Sequence, residues 1–299
     1  MSRTAGPVAD GGRGARHIEA RIRAAATDGR PALAGFLTAG YPSREGFADV
    51  ARRVAGAVDV LELGVPFSDP MADGVTIQEA SRAALENGVT LDWILELVAK
   101  LELATPVVLM SYLNPLLTRS HSRLAAEAAA AGVGGFIVPD LPLEESGPLR
   151  HALDREGLAL IQLVTPLTPP LRRRRLAEAS AGFLYAVTRT GTTGAGATRA
   201  GATGEGATGT AATDGSAGPA ALAYLASLRE LSDLPVLAGF GIRSAAQVRE
   251  LAPHVDGLIV GSALIERLAA GEDPVEFLKE LRGARRTTAA SHDINEDMP

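Results

Sequence analysis

The chain has no cysteine, which excludes disulfides, thiolate nucleophiles and thiolate-ligated zinc and fits a reducing compartment. Histidine is scarce too: His17, His121, His151, His254 and His292 stand apart, none at metal-ligand spacing from another, so no metal site is visible. Aromatics make up 4% and the net charge is -6. Nucleic-acid grooves and anionic membrane surfaces call for clustered Lys and Arg, so neither is an expected partner. The arginine run at 172–175 lies in one short helical segment and reads as a solvated helix face. No stretch approaches the roughly 18 apolar residues of a spanning helix. Residues 1–16 are Gly/Arg-rich without the apolar centre of a secretory leader. A soluble, cytoplasmic protein is the expectation.

What is present is core material. Of 299 residues 46% are hydrophobic and 21% charged, with mean hydropathy +0.12, a globular balance. The length suits two domains or one α/β barrel of about 250 residues. Short apolar runs at 33–38, 58–65, 107–112, 135–138, 159–164, 183–188, 236–240 and 257–260 read as strands. Between them, 46–57, 91–103, 122–131, 144–156, 170–179, 220–231 and 244–251 carry helical periodicity, and 274–282 follows the last strand. Near-continuous apolar strands alternating with helices are the pattern of a parallel sheet covered on both faces. The predicted fold class is α/β, a single (β/α)8 TIM barrel with an extra N-terminal helix and an extended loop after strand six. An open doubly wound sheet would want a G-x-G-x-x-G turn after strand one, and Thr38-Ala39-Gly40-Tyr41-Pro42 supplies none.

The expected organisation is a disordered tail at 1–16, the barrel at 17–283 and a polar, disordered tail at 284–299. Within the barrel, 196–215 is a near-repeat of Gly, Ala and Thr with no side chain large enough to build a core, so 195–218 reads as a low-complexity mobile loop.

The chemistry concentrates in residues 61–74, Leu-Glu-Leu-Gly-Val-Pro-Phe-Ser-Asp-Pro-Met-Ala-Asp-Gly. Glu62 sits inside an apolar strand, where an ionisable group needs either a partner or a use. Strand alternation places Val60, Glu62 and Gly64 towards the lumen and Leu61, Leu63 and Val65 towards the helices. Burial there raises a carboxyl pKa towards the range where one group both gives and takes a proton. The competing reading is a structural glutamate paired with a lysine or arginine inside the barrel. Asp73, on the Pro/Gly-rich loop beyond the strand, can face the same pocket; alone it would pass for a turn residue. Gly-rich turns after strands seven and eight (239–244 and 261–263) lead into helices, where phosphate is frequently held in this architecture, and Gly191 to Gly194 can close a third side.

These residues resemble the α-subunit family of tryptophan synthase. The strand-two segment is joined, in the family's order, by G-F-L-T-A-G-Y-P at 35–42, L-M-S-Y-L-N-P at 109–115, P-D-L-P-L-E-E at 139–145, T-R-T-G-T-T-G at 188–194, G-F-G-I at 239–242 and V-G-S-A at 260–263. The resemblance covers about residues 17–283. It implies cleavage of indole-3-glycerol phosphate to indole and glyceraldehyde 3-phosphate, with Glu62 as the proton-shuttling acid and base, Asp73 on the indole N–H and Tyr185 lining the site. Phe36 and Tyr112 match positions lining the indole pocket, Thr193 the closing loop, and Gly194, Gly241, Gly261 and Ser262 phosphate contacts. No cofactor is implied for this chain. Pyridoxal phosphate is expected on a partner β chain in an αββα heterotetramer, with Asp69, Pro70 and Asn114 at positions that communicate across the interface.

The sequence departs from the family at two places. Val75 stands where proline is common, which is expected to loosen the loop carrying Asp73. The repeat lengthens the loop after strand six, yet each doubling of loop length costs only about 0.6 kcal/mol. Slower or looser closure is therefore expected, and deleting residues 198–212 should change the lyase rate or the substrate KM; unchanged values for both refute this. Three other readings stay open. A free-standing indole-releasing lyase would be fully active without a β chain, a sugar-phosphate isomerase would show itself in a substrate panel, and a catalytically inactive regulatory subunit would lack lyase activity.

Overall fold

In the computed structural model, residues 14–188, 217–239 and 241–284 are described. Helix α1 (Ala15–Thr27) leads into β1 (Ala32–Thr38), α2 (Phe47–Ala57), β2 (Val60–Gly64), α3 (Val75–Glu86), α4 (Leu91–Leu101) and β3 (Val107–Met110). Next come α5 (Leu113–Leu116), α6 (His121–Ala131), β4 (Val133–Ile137), α7 (Gly147–Arg155), β5 (Ala159–Val164), α8 (Pro170–Ala179) and β6 (Leu184–Val187). The described chain ends with α9 (Pro219–Leu231), β7 (Val236–Gly239), α10 (Ala245–Leu251), β8 (Gly257–Val260), α11 (Ser262–Ala269) and α12 (Pro274–Gly283). Each strand pairs in parallel with the next, and β8 returns to β1, so eight strands close a barrel. All eight apolar runs are strands, and 159–164 and 257–260 match residue for residue.

Alternation along the strands divides the core in two. Leu33, Leu37, Leu61, Leu63 and Leu109 point outward into the layer between barrel and helices. Ala34, Val60, Val108, Ile161, Phe183 and Leu237 fill the lumen together with Ile18, Ile22 and Ala25, which the helical repeat brings to one face of α1. The extra N-terminal helix thus plugs the N-terminal end of the barrel and leaves the opposite end to the loops. It begins at Ala15, inside the segment expected to be a tail, because its amide binds the Gly157 carbonyl at 3.0 Å. At the other boundaries Ala284 is buried, and the Ala217 amide is held by Glu250 at 2.9 Å. Residues 195–216, 1–13 and 285–299 lie outside the described residues.

Two buried carboxylates stand three residues apart, Asp59 just before β2 and Glu62 in its middle, and their surroundings differ. Asp59, only 1% exposed, accepts both Arg30 guanidinium nitrogens at 2.6 and 2.8 Å, the Leu33 amide at 2.9 Å and Arg282 at 3.3 Å. Such saturation makes a buried charge tolerable and ties α12 to the closed end of the barrel. Three residues on, Glu62 has no such set of partners among the described residues.

Candidate active site

Glu62 is the central residue of β2, in register with Phe36 of β1 and Val108 of β3. Its pleat position faces the lumen with Val60, as the alternation predicts. It is 2% exposed, and its Oε2 atom is buried with no hydrogen-bond partner among the described residues. The structural reading would have paired it with a cation; none of the ion pairs among the described residues involves it. Burial, reinforced by the nearby Asp73 charge, pushes its pKa up to about 8, so the carboxyl holds its proton at neutral pH.

Asp73 reaches the same space from the loop between β2 and α3. Loss of hydration raises its pKa to about 6, against which the Tyr112 hydroxyl pulls it down. The loop is shaped by contacts spread widely in sequence. The Tyr112 hydroxyl accepts the Ala72 amide at 2.8 Å, with its ring against Phe67 at 5.2 Å. Gln78 of α3 donates to the carbonyls of Asp73 at 2.9 Å and Pro70 at 3.2 Å. Gln78 was invisible to motif reasoning, and Tyr112, expected only as a pocket wall, also braces the loop that carries Asp73. Tyr185, on β6, completes the group: burial first, then the charges of Glu62 and Asp73, hold its phenol well above the usual tyrosine range. It is therefore a neutral O–H facing two carboxyls.

Glycines make room for these side chains. A Cβ at Gly239 would lie 2.8 Å from the Tyr185 hydroxyl, and one at Gly64 would lie 2.6 Å from the Phe36 ring, both closer than real Cβ atoms approach their neighbours. Phe36 packs with Ala80 and Ile265, making an apolar wall one strand from Glu62. Helix α3 escaped the periodicity search because the face it buries carries Ala80, Ser81 and Ala84, too small to register as an apolar stripe. Val75 is its first residue, the helix position at which proline is favoured for its fixed φ. The departure from proline therefore leaves φ unfixed at this helix start, two residues after Asp73.

Of the phosphate candidates, Gly241 has φ 66° and follows β7, while Gly261 is the N-cap of α11 and Ser262 its first residue. The helix starts after these two turns differ. Ser244 and Gln247 form a capping box on α10, and the Gln247 carbonyl accepts the amides of Arg243 at 2.7 Å and Ser244 at 3.2 Å. Helix α11 has no side-chain cap, which favours it as an anion-facing terminus. Thr193 and Gly194 lie outside the described residues.

Asp69 and Pro70, on the loop after β2, and Asn114, in the short helix α5 after β3, lie on the rim of the open end. Asp69 accepts the Ser68 hydroxyl at 2.6 Å. The exposed apolar side chains Met71 at 87% and Leu117 at 53% flank them. No helix among the described residues is long and apolar enough to cross a membrane, and no cluster among them could hold a metal.

Comparison with known proteins adds a family. The family model for the tryptophan synthase alpha chain matches residues 22–207 and 200–292, two segments that overlap within the Gly/Ala/Thr repeat. The tryptophan synthase alpha chain of Desulfovibrio desulfuricans is 42% identical over 266 residues, covering 87% of this chain and 97% of that one. That of Chloroflexus aggregans is 44% identical over 254 residues, covering 83% and 87%. A crystal structure of tryptophan synthase from Mycobacterium tuberculosis superposes with TM-score 0.79 at 33% identity, covering 91% of this chain and 98% of that chain.

Proposed function

The chain belongs to the tryptophan synthase alpha chain family, and from that premise we propose that Glu62, Asp73 and Tyr185 carry the family's reaction. The protein is a carbon–carbon lyase of tryptophan biosynthesis, cleaving indole-3-glycerol phosphate to indole and glyceraldehyde 3-phosphate. Glu62 gives its proton to indole C3, and the resulting cation is stabilised at its N–H by the Asp73 carboxylate. The hydroxyl on the carbon being released then loses its proton to Glu62. The electron pair of the breaking C–C bond restores the indole, and the aldehyde C=O forms. Glu62 ends protonated, as it began. The observation that carries this assignment is the buried Glu62 carboxyl without a cation, coupled to Asp73 and Tyr185.

Phe36 and Tyr112 wall the indole, and Gly241, Gly261 and Ser262 hold the phosphate, with Thr193 and Gly194 assigned to the same end by their motif. Binding the remote phosphate positions the reacting carbon. The rim bearing Asp69, Pro70 and Asn114 receives a pyridoxal-phosphate-dependent β chain in an αββα assembly, and exposed Met71 and Leu117 supply apolar surface for it. This chain itself uses no cofactor, and its place is the cytoplasm. An indole-release assay with and without a β chain tests the reading: release should rise on adding the β chain. Full activity alone would make it a free-standing lyase, and no release in either case would leave a purely regulatory subunit.

A further inference from the structure

The two loops assigned to the phosphate arrive from different strands, and one ion pair joins them. Arg243 lies two residues past Gly241 on the loop after β7, and Glu266 lies one helical turn past Ser262 on α11. The two terminal guanidinium nitrogens each donate to a different carboxylate oxygen, both at 2.6 Å, the parallel fork geometry that fixes distance and orientation together. The backbone of Arg243 is held as well, through the Gln247 side chain. On the other side, Gly261 packs beside Phe36 of β1, where a Cβ would lie 3.6 Å from the Phe36 Cβ, an ordinary contact. The loop after β7 is thus tied to α10, and the Arg243–Glu266 pair spans the gap from it to α11.

We propose that Arg243 and Glu266 are positioning residues that set the spacing of the two phosphate-holding loops, and so the affinity for the phosphorylated end of the substrate. This rests on the assignment of Gly241, Gly261 and Ser262 as phosphate contacts. Neither residue need touch the substrate. Both side chains are partly exposed, 55% and 37%, so the effect is modest: about fivefold, or about 1 kcal/mol at 1.36 kcal/mol per tenfold.

The test measures KM for indole-3-glycerol phosphate and the inhibition constant of inorganic phosphate for wild type, Arg243→Ala, Glu266→Gln and the swapped pair Arg243→Glu with Glu266→Arg. Each single variant should raise both constants by roughly fivefold with the loss in KM rather than kcat, and the swap should recover most of it. The proposal is overturned if the single variants bind as wild type does. It is also overturned if Arg243→Ala weakens binding while Glu266→Gln does not, since Arg243 would then act on phosphate directly, or if the swap gives no recovery. Wild type that neither cleaves the substrate nor is inhibited by phosphate sinks the phosphate assignment instead, and with it the premise.

Discussion

Glu62→Gln is expected to lower lyase turnover by roughly 10³-fold or more while substrate still binds. Glutamine keeps the shape and can accept a hydrogen bond, but it cannot lend a proton to C3 and take one back from the hydroxyl. The same variant should be the more stable protein at alkaline pH. In the unfolded chain a glutamate ionises near its ordinary value of 4.5, whereas in the barrel it holds its proton to about 8. Folding therefore takes up a proton across that window, and the native state loses about 1.4 kcal/mol per pH unit there, an upper-end figure for a group so deeply buried. The contribution is fully present below pH 4.5 and has gone once pH passes 8. Glutamine has no such dependence, so the melting temperature of the wild type should fall relative to the variant between about pH 5 and 9. Normal turnover in the variant refutes the proton shuttle. A parallel fall of both melting curves would mean that Glu62 titrates as a solvated carboxyl.

Much of this was legible before any coordinates. Eight apolar runs are eight strands because parallel strands covered on both faces cannot hide a polar alternation. A glutamate in the middle of one such run stands out for the same reason, and the pleat alone decides that it faces the lumen. What stayed hidden depends on distance in sequence. Asp59 is a fully partnered structural carboxylate only because Arg30 and Arg282 come to it from segments far apart in the chain. Tyr112 reaches Ala72 across forty positions, and nothing near either residue advertises it. Helix α3 stays hidden for a different reason. A helix that buries small residues such as Ala80, Ser81 and Ala84 offers little hydrophobic contrast to detect. The Arg243–Glu266 pair is hidden by distance in the same way, a contact across 23 positions between the turn after β7 and the helix after β8.

Asp73→Asn should cost roughly 10²- to 10³-fold in kcat/KM, the loss typical of removing one preorganised group from a developing charge. Its pH profile is the sharper test. On the proposed mechanism the wild type needs Glu62 protonated and Asp73 ionised at once. Burial raises both groups, but Tyr112 restrains Asp73 at about 6 while Glu62 rises to about 8. The pair should therefore give a bell in kcat/KM, falling below about pH 6 as Asp73 gains a proton and above about pH 8 as Glu62 loses one, with both limbs belonging to the coupled pair. An asparagine side chain cannot ionise, so the acid limb should disappear in the variant. The alkaline limb should persist and move to lower pH, because the negative neighbour that helped Glu62 retain its proton is gone. Tyr112→Phe offers an independent check on the same coupling. Without the hydroxyl, Asp73 should take up its proton at higher pH and the bell should narrow from its acid side. An acid limb that survives Asp73→Asn unchanged would assign that limb to another group and remove Asp73 from the charge-stabilising role.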